Sequence, residues 1–371
     1  MTDIDIPGLT AQVLWASFVL ALLFGAIAQH TRFCTMGAVA DIVAMGDWTR
    51  MRMWLLAIAT AMLGFNGMVA LGWVQAANSF YAGPQLLWLS NLLGGALFGV
   101  GMVLASGCGS KTLVRIGGGN LKSLVVFFVL AASAYATMRG LFAVARVNSI
   151  DQVALALPGG QDLPTLASQL AGGAVQTWAG LLGGLIGLAL LVFVLARPEG
   201  RSGEVLAGGL GIGAVVVGVW WVSGVMGFVP EHPETLEATY LATNSRRMES
   251  LSFVAPLAYS LDWLILYSDS SKVLTLGIVC ALGVVLGAAV VALATRSFRW
   301  EGFRGTEDTA NHIVGAVLMG VGGVTAVGCT VGQGLSGIST LALGSFIALA
   351  GIIGGAWLGL RWQTWRLERQ L

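Results

Sequence analysis

Two of the chain's four cysteines end the same string. Gly-Val-Gly, five residues and Gly-Cys run from Gly99 to Cys108 and again from Gly320 to Cys329. A third, Cys34, lies in His30-Thr31-Arg32-Phe33-Cys34-Thr35-Met36-Gly37, with Gly25 nine residues ahead of it as Gly99 and Gly320 stand ahead of the others. A neutral thiol is a weak hydrogen-bond donor on a soft, polarisable atom, so it suits reversible contact with another soft atom. A thiolate is instead a nucleophile. Metal binding is not indicated, because the cysteines form no CxxC pair and His30, His232 and His312 have no spacing partners. Cys280 differs from the other three. It sits inside the apolar run Leu274 to Ala294 with no glycine break beside it, and reads as a small hydrophobe.

The elements that position these thiols follow from the residues around them. Gly109, Gly117, Gly118 and Gly119 come after Cys108, and Gly332, Gly334 and Gly337 after Cys329. Long helices tolerate that density of glycine poorly. Both segments therefore read as broken or re-entrant helices whose irregular backbone lines a cavity enclosed by protein. With 53 glycines in 371 residues, others serve only close helix packing, and Gly183, Gly184 and Gly187 read that way.

Composition sets the solvent. The chain is 56% hydrophobic and 10% charged, with a mean hydropathy of +0.83, too apolar to present a charged surface to water on every side. It reads as an all-α polytopic membrane protein. A net charge of +1 offers no basic excess for nucleic acid. Met1 to Thr10 lacks a basic n-region, so the first apolar segment is expected to remain as a membrane helix. Apolar runs long enough to span fall at about nine places, namely 11–29, 53–75, 89–107, 121–142, 173–196, 204–228, 273–295, 311–328 and 340–361. Phe253 to Tyr267 is too short, carries Pro256 and Asp262, and reads as re-entrant or as a half-helix. Asp262, polar in an apolar stretch, raises a suspicion of function. Asp41 to Arg52 reads as an interfacial helix.

Placing the N-terminus outside puts fourteen of the 19 Lys and Arg residues in cytoplasmic loops, among them Arg32, Lys111 and Arg115. The C-terminus is then cytoplasmic. On that placement the two glycine-cysteine strings run in opposite directions across the membrane. An inverted-topology repeat follows, with a first half at 11–147, a second at 165–361, and a single membrane domain over 1–371.

At the cysteines the chain resembles a known family. Arg32-Phe33-Cys34-Thr35-Met36-Gly37-Ala38-Val39-Ala40-Asp41, Leu104-Ala105-Ser106-Gly107-Cys108-Gly109 and Gly328-Cys329-Thr330-Val331-Gly332-Gln333-Gly334-Leu335-Ser336-Gly337 are similar, in order, to the three cysteine motifs of the YeeE/YedE sulfur-transport family. The similarity runs over nearly the whole chain, including Thr243-Asn244-Ser245 and Phe253-Val254-Ala255-Pro256. It implies an inner-membrane protein that takes up a small inorganic sulfur anion, thiosulfate first, along a path lined by Cys34, Cys108 and Cys329. Family members often work beside a small cytoplasmic carrier of the SirA/TusA type, which is the partner the resemblance suggests.

The residues suit such a path. Thiosulfate is a dianion with a soft terminal sulfur, and successive thiols hold it without gripping it, whereas a ring of cations would not let it leave. Half-helix N-termini after Cys108 and Cys329 would offset its charge, with Gly107, Gly109 and Gly328 giving the backbone its approach. Lys111, Arg115 and Arg32 would add an attractive field at the cytoplasmic mouth, or serve only as topological anchors. The alternatives are transport of a selenium or other sulfur compound, a membrane enzyme of thiol or persulfide transfer, and a scaffold for a sulfur carrier. Against the enzyme, no resolving cysteine lies near any candidate. The sequence points to no catalytic residue, metal or cofactor.

Overall fold

The computed structural model describes residues 5–233 and 235–369. Met1 to Ile4 of the acidic start therefore lie outside the described residues. The described residues fold into fourteen α-helices: α1 (Ile6–His30), α2 (Thr35–Met45), α3 (Thr49–Ala70), α4 (Trp88–Leu104), α5 (Gly109–Gly117), α6 (Leu121–Arg139), α7 (Leu141–Val147), α8 (Leu163–Ala171), α9 (Val175–Leu195), α10 (Gly203–Trp221), α11 (Ala255–Ile265), α12 (Leu276–Ala294), α13 (Thr306–Thr325) and α14 (Leu343–Glu368). The only ladders among the described residues are two-residue pairs, β1 (Gln85–Leu86) with β2 (Leu155–Ala156) and β3 (Phe228–Val229) with β4 (Thr239–Tyr240). They tie loops together and build no sheet.

Among the described residues eight helical stretches are long and apolar enough to cross a bilayer, and the protein is a multi-pass membrane protein of all-α class. All nine apolar runs read from the sequence are helical. The one that falls short on hydropathy is α13, at 20 residues long enough but carrying Glu307, Asp308 and His312 in its first turns. It packs between α4 and α6, so it needs small residues for close approach more than lipid-soluble ones. It still exposes Ile313, Val314 and Val317, and other helices carry more of the lipid face. Leu181, Leu185, Leu188 and Val192 of α9, and Leu282, Leu286, Val290 and Leu293 of α12, are exposed and supply the apolar outside that a bilayer requires.

Lipid is as apolar as leucine, so helices here associate by close packing. The repeated glycines provide the seams. A Cβ on Gly99 would sit 2.2 Å from the Ile352 carbonyl oxygen of α14, and one on Gly320 would sit 2.7 Å from the Leu130 carbonyl oxygen of α6. Gly101 faces the Gly315 carbonyl oxygen of α13 at 2.7 Å, and Gly322 faces the Gly94 carbonyl oxygen of α4 at 2.6 Å. The first glycine of each string thus meets a flanking helix, while the second meets the helix that carries the other string.

Two short segments differ from simple expectation. Asp41 to Arg52 is not one interfacial helix. Gly46, at φ 69°, ends α2, and the Asp47 side chain accepts the Thr49 N–H at 2.9 Å to start α3. Its polar residues are used inward: Asp41 accepts from Arg50 at 2.7 Å, and Arg52 donates to the Phe193 carbonyl at 3.0 Å. Phe253 to Tyr267 yields α11, eleven residues packed on α6 and α12 with Pro256 in its first turn. Asp262 there accepts from Lys272 at 2.7 Å, a pair that accounts for a carboxylate in that stretch.

Candidate functional site

The backbone at the three cysteines is built alike. Arg32, Ser106 and Val327, each two residues before its cysteine, have φ of 52°, 56° and 60°. This left-handed turn closes the preceding helix by bonds from Phe33 N to Ala28 O at 3.2 Å, Gly107 N to Met102 O at 2.8 Å and Gly328 N to Gly323 O at 2.8 Å. A residue with a side chain pays about 1–2 kcal/mol for that conformation, and a β-branched valine is an outlier there. The result is constant. Each cysteine opens the next helical segment: Cys34 caps α2, Cys108 caps α5, and Cys329 precedes the turn that continues into the π-helical segment Gly332–Gly337.

At two of these starts the sulfur does the capping. Cys34 Sγ accepts from Gly37 N at 3.3 Å, and Cys329 Sγ accepts from Gly332 N and from Phe253 N, both at 3.3 Å. A sulfur held as acceptor keeps its own S–H free to donate. Cys108 Sγ lies 3.2 Å from Ser110 Oγ, and the Thr112 hydroxyl donates to the Cys108 carbonyl at 3.0 Å. Cys280 is placed otherwise, with its thiol 3.6 Å from the Ser17 carbonyl between α12 and α1.

Cys108 is flanked by the other two: Ser106, two residues before it, lines the Cys34 cavity, and Gly109, one after it, packs on Phe253, whose N–H is bonded to Cys329. Cys34 is half-buried and lines a cavity of about 450 Å³ with Arg32, Arg50, Lys111, Arg115, Asp47 and Glu204. Four cations thus face two carboxylates at this end. Lys111 packs on Gly107, where a Cβ would lie 3.1 Å from its Cγ. Arg32 is exposed at the rim.

Cys329 lies under the opposite end. Two cavities reach the Val327 turn before it, one of about 320 Å³ lined by Tyr81, Glu249, Ser252, Cys280 and Gly328, the other of about 360 Å³ lined by Tyr81, Asn91, Gln161, Arg247 and Gln333. Between the two ends the protein is closed. Cys108 and Cys329 are 1% and 0% exposed, and the buried rings of Phe24 and Phe253 stack at 5.7 Å. Phe253 is the wedge of this closed section. Its N–H holds Cys329, and its carbonyl oxygen lies 2.5 Å from where a Gly109 Cβ would be. The Thr330 hydroxyl beside Cys329 is buried with no bonding partner among the described residues.

Of the residues singled out in the sequence, Arg32, Cys34, Lys111 and Arg115 line one cavity, Gly107 packs on Lys111, Gly109 packs on Phe253, Gly328 lines a second cavity, and Cys108 and Cys329 are buried. Reading the sequence missed Ser110, Tyr81, Ser252 and Glu249. Only Ser110 carried a signal, its place two residues after a singled-out cysteine. The others come from loops whose approach to Cys329 is purely tertiary.

The sulphur-transport family model matches residues 30–358. A protein named thiosulfate transporter TsuA from Escherichia coli strain K12 is 26% identical over 349 residues, which cover 92% of each chain. One of the same name from Spirochaeta thermophila is 27% identical over 356 residues, covering 93% of this chain and 97% of that one.

Proposed function

The chain belongs to the sulphur-transport family, and on that premise we propose that it takes up thiosulfate across the bacterial inner membrane. The anion passes Cys329, Cys108 and Cys34 in that order. What supports this reading is that three thiols follow the same left-handed turn at helix starts, Cys34 lining one cavity and Cys329 following a turn that lines two others. Accepting backbone N–H groups at sulfur, Cys34 and Cys329 keep S–H donors for a soft sulfur atom. The starts of α2 and α5 and the Thr330 turn add unpaired N–H groups that favour an anion without the grip of a buried cation. The thiols work protonated, because a thiolate would repel the dianion.

The Arg32 end is the cytoplasmic one, where Lys111, Arg115 and Arg32 draw the anion out of the path and where a SirA/TusA-like carrier would collect it. The two halves are inverted copies. Exchangeable packing supports this: α4 lies on α13 and α14 while α13 lies on α4 and α6, and α3 lies on α10 while α12 lies on α1. These pairings match α1, α3, α4 and α6 with α10, α12, α13 and α14, so α7 to α9, which the bounds 11–147 and 165–361 divide between the two halves, stand instead between them. The activity is transport and not sulfur transfer.

Growth on thiosulfate of a strain unable to make sulfide, with this chain as its only thiosulfate importer, tests the reading. Cys108→Ala and Cys329→Ala abolish that growth and Cys280→Ala does not. Growth unaffected by the first two variants would exclude a cysteine path, and a persulfide on Cys108 that accumulates during turnover would favour covalent transfer.

A further inference from the structure

If the chain imports a dianion, as proposed above, the membrane potential works against it. A potential negative inside opposes each negative charge that enters, and the three thiols carry no compensating charge. The Tyr81 end holds a group that can bring one in.

The segment from Asn244 to Ser252 runs between the two cavities of that end, with Arg247 lining one and Glu249 lining the other. Glu249 Oε1 accepts from the Ser245 N–H at 3.0 Å and from the Ser245 hydroxyl. No bond among the described residues uses Oε2, and no Lys or Arg among them pairs with the carboxylate. The charged and titratable groups around this cavity are Arg146, Tyr81, Tyr259 and Cys280. Arg146 is taken by Asp151. Asp262 is held by Lys272, and Arg139 acts on Tyr259 and Asp262 from the side of α6. The phenols and the thiol are neutral near pH 7. Among the described residues lining this cavity, which also reaches Ser252 and Gly328 beside Cys329, the carboxylate is thus the one charged group without an ion-pair partner, Arg146 being paired through Nη1 while its Nε is left unbonded. A dianion there would meet a like charge.

We propose that Glu249 binds the coupling proton: the anion occupies the outer cavity only when this carboxyl is protonated, so that proton and anion enter together. A neutral carboxyl removes the repulsion and turns Oε2 into a donor toward the anion. Burial favours that state, raising the proton affinity of Glu249 above that of an ordinary glutamate against the opposing bonds from Ser245.

The test uses the full chain in proteoliposomes with radiolabelled thiosulfate. In the unaltered protein, acid outside raises the steady-state accumulation ratio about tenfold per pH unit for each coupled proton, and adding thiosulfate outside acidifies the lumen as read by a trapped pH dye. Glu249→Gln loses accumulation driven by the pH gradient, while Glu249→Asp keeps it. The proposal is overturned if the unaltered protein exchanges thiosulfate but ignores the gradient and acidifies nothing, or if Glu249→Gln still accumulates with the gradient. Should Glu249→Gln lose exchange as well, lumen acidification by the unaltered protein decides. Absence of thiosulfate exchange in the unaltered protein is a separate outcome, which removes the transport reading and this proposal with it.

Discussion

A sulfur that caps a helix is held for a different purpose from one that fills a gap. Cys34 and Cys329 accept backbone N–H groups at helix starts, whereas Cys280 rests between α1 and α12. Serine is a better cap than cysteine but lacks the soft atom. Cys329→Ser is therefore expected to unfold at a temperature no lower than the unaltered protein while thiosulfate uptake falls at least tenfold. Equal uptake by the two would show that the sulfur atom is not what the anion contacts. Gly109 is the complementary case. Its missing Cβ admits the Phe253 carbonyl at 2.5 Å, and backbone cannot swing aside, so Gly109→Ala should cost about 1–3 kcal/mol of stability as overpacking does. Thermal unfolding in detergent measures it, and an unchanged midpoint would mean that α5 and Phe253 are not in contact.

At the scale of elements, paired glycine seams hold the broken helices together. Gly99→Ala and Gly320→Ala each drive a methyl group into a neighbouring helix's carbonyl, while Gly184 has nothing within 4 Å. The first two are expected to lower the unfolding midpoint and Gly184→Ala to leave it or raise it, since alanine is the better helix former. A join of another kind lies at the Arg32 end. Lys122 Nζ lies 3.2 Å from Glu301 and 3.0 Å from Asp308, and Asn120 donates to Glu301 at 2.7 Å, tying the start of α6 to the approach to α13. Burial pushes the Glu301 carboxyl up, but the Lys122 bond and charge and the Asn120 bond outweigh it and hold it below the ordinary glutamate range. A lowered carboxyl contributes stability above its unfolded pKa and loses it as pH falls through the folded value. The midpoint gap between the unaltered protein and Glu301→Gln should accordingly be constant near neutrality and close in acid below the usual carboxylate range. With Glu301 half exposed, solvent screens the pair and the gap is small. A gap that widens in acid would contradict this sign.

For the whole molecule, the proposed path has two unequal ends and a closed middle, so accessibility should depend on side. In single-cysteine variants a membrane-impermeant maleimide is expected to label Cys34 in inside-out vesicles and not in right-side-out ones, and to leave Cys108 unlabelled in both. Labelling of Cys34 from the periplasmic side would reverse the orientation. Much of this molecule was legible in its residues, because the responsible effects are local or compositional. Scarcity of charge determined the membrane class, apolar run length placed the helices, and glycine-cysteine strings marked where they break, since a left-handed turn two residues before each cysteine is a short-range event. The tertiary structure alone decided the rest. That Phe253 reaches Cys329 across 76 residues, that α13 packs between α4 and α6, that Asp41 turns inward to Arg50, and that Glu249 and Arg247 face different cavities all depend on which surfaces meet. A contact between distant segments leaves no period or spacing in the chain, because it is set by the packing of helices whose own sequences say only that they are buried.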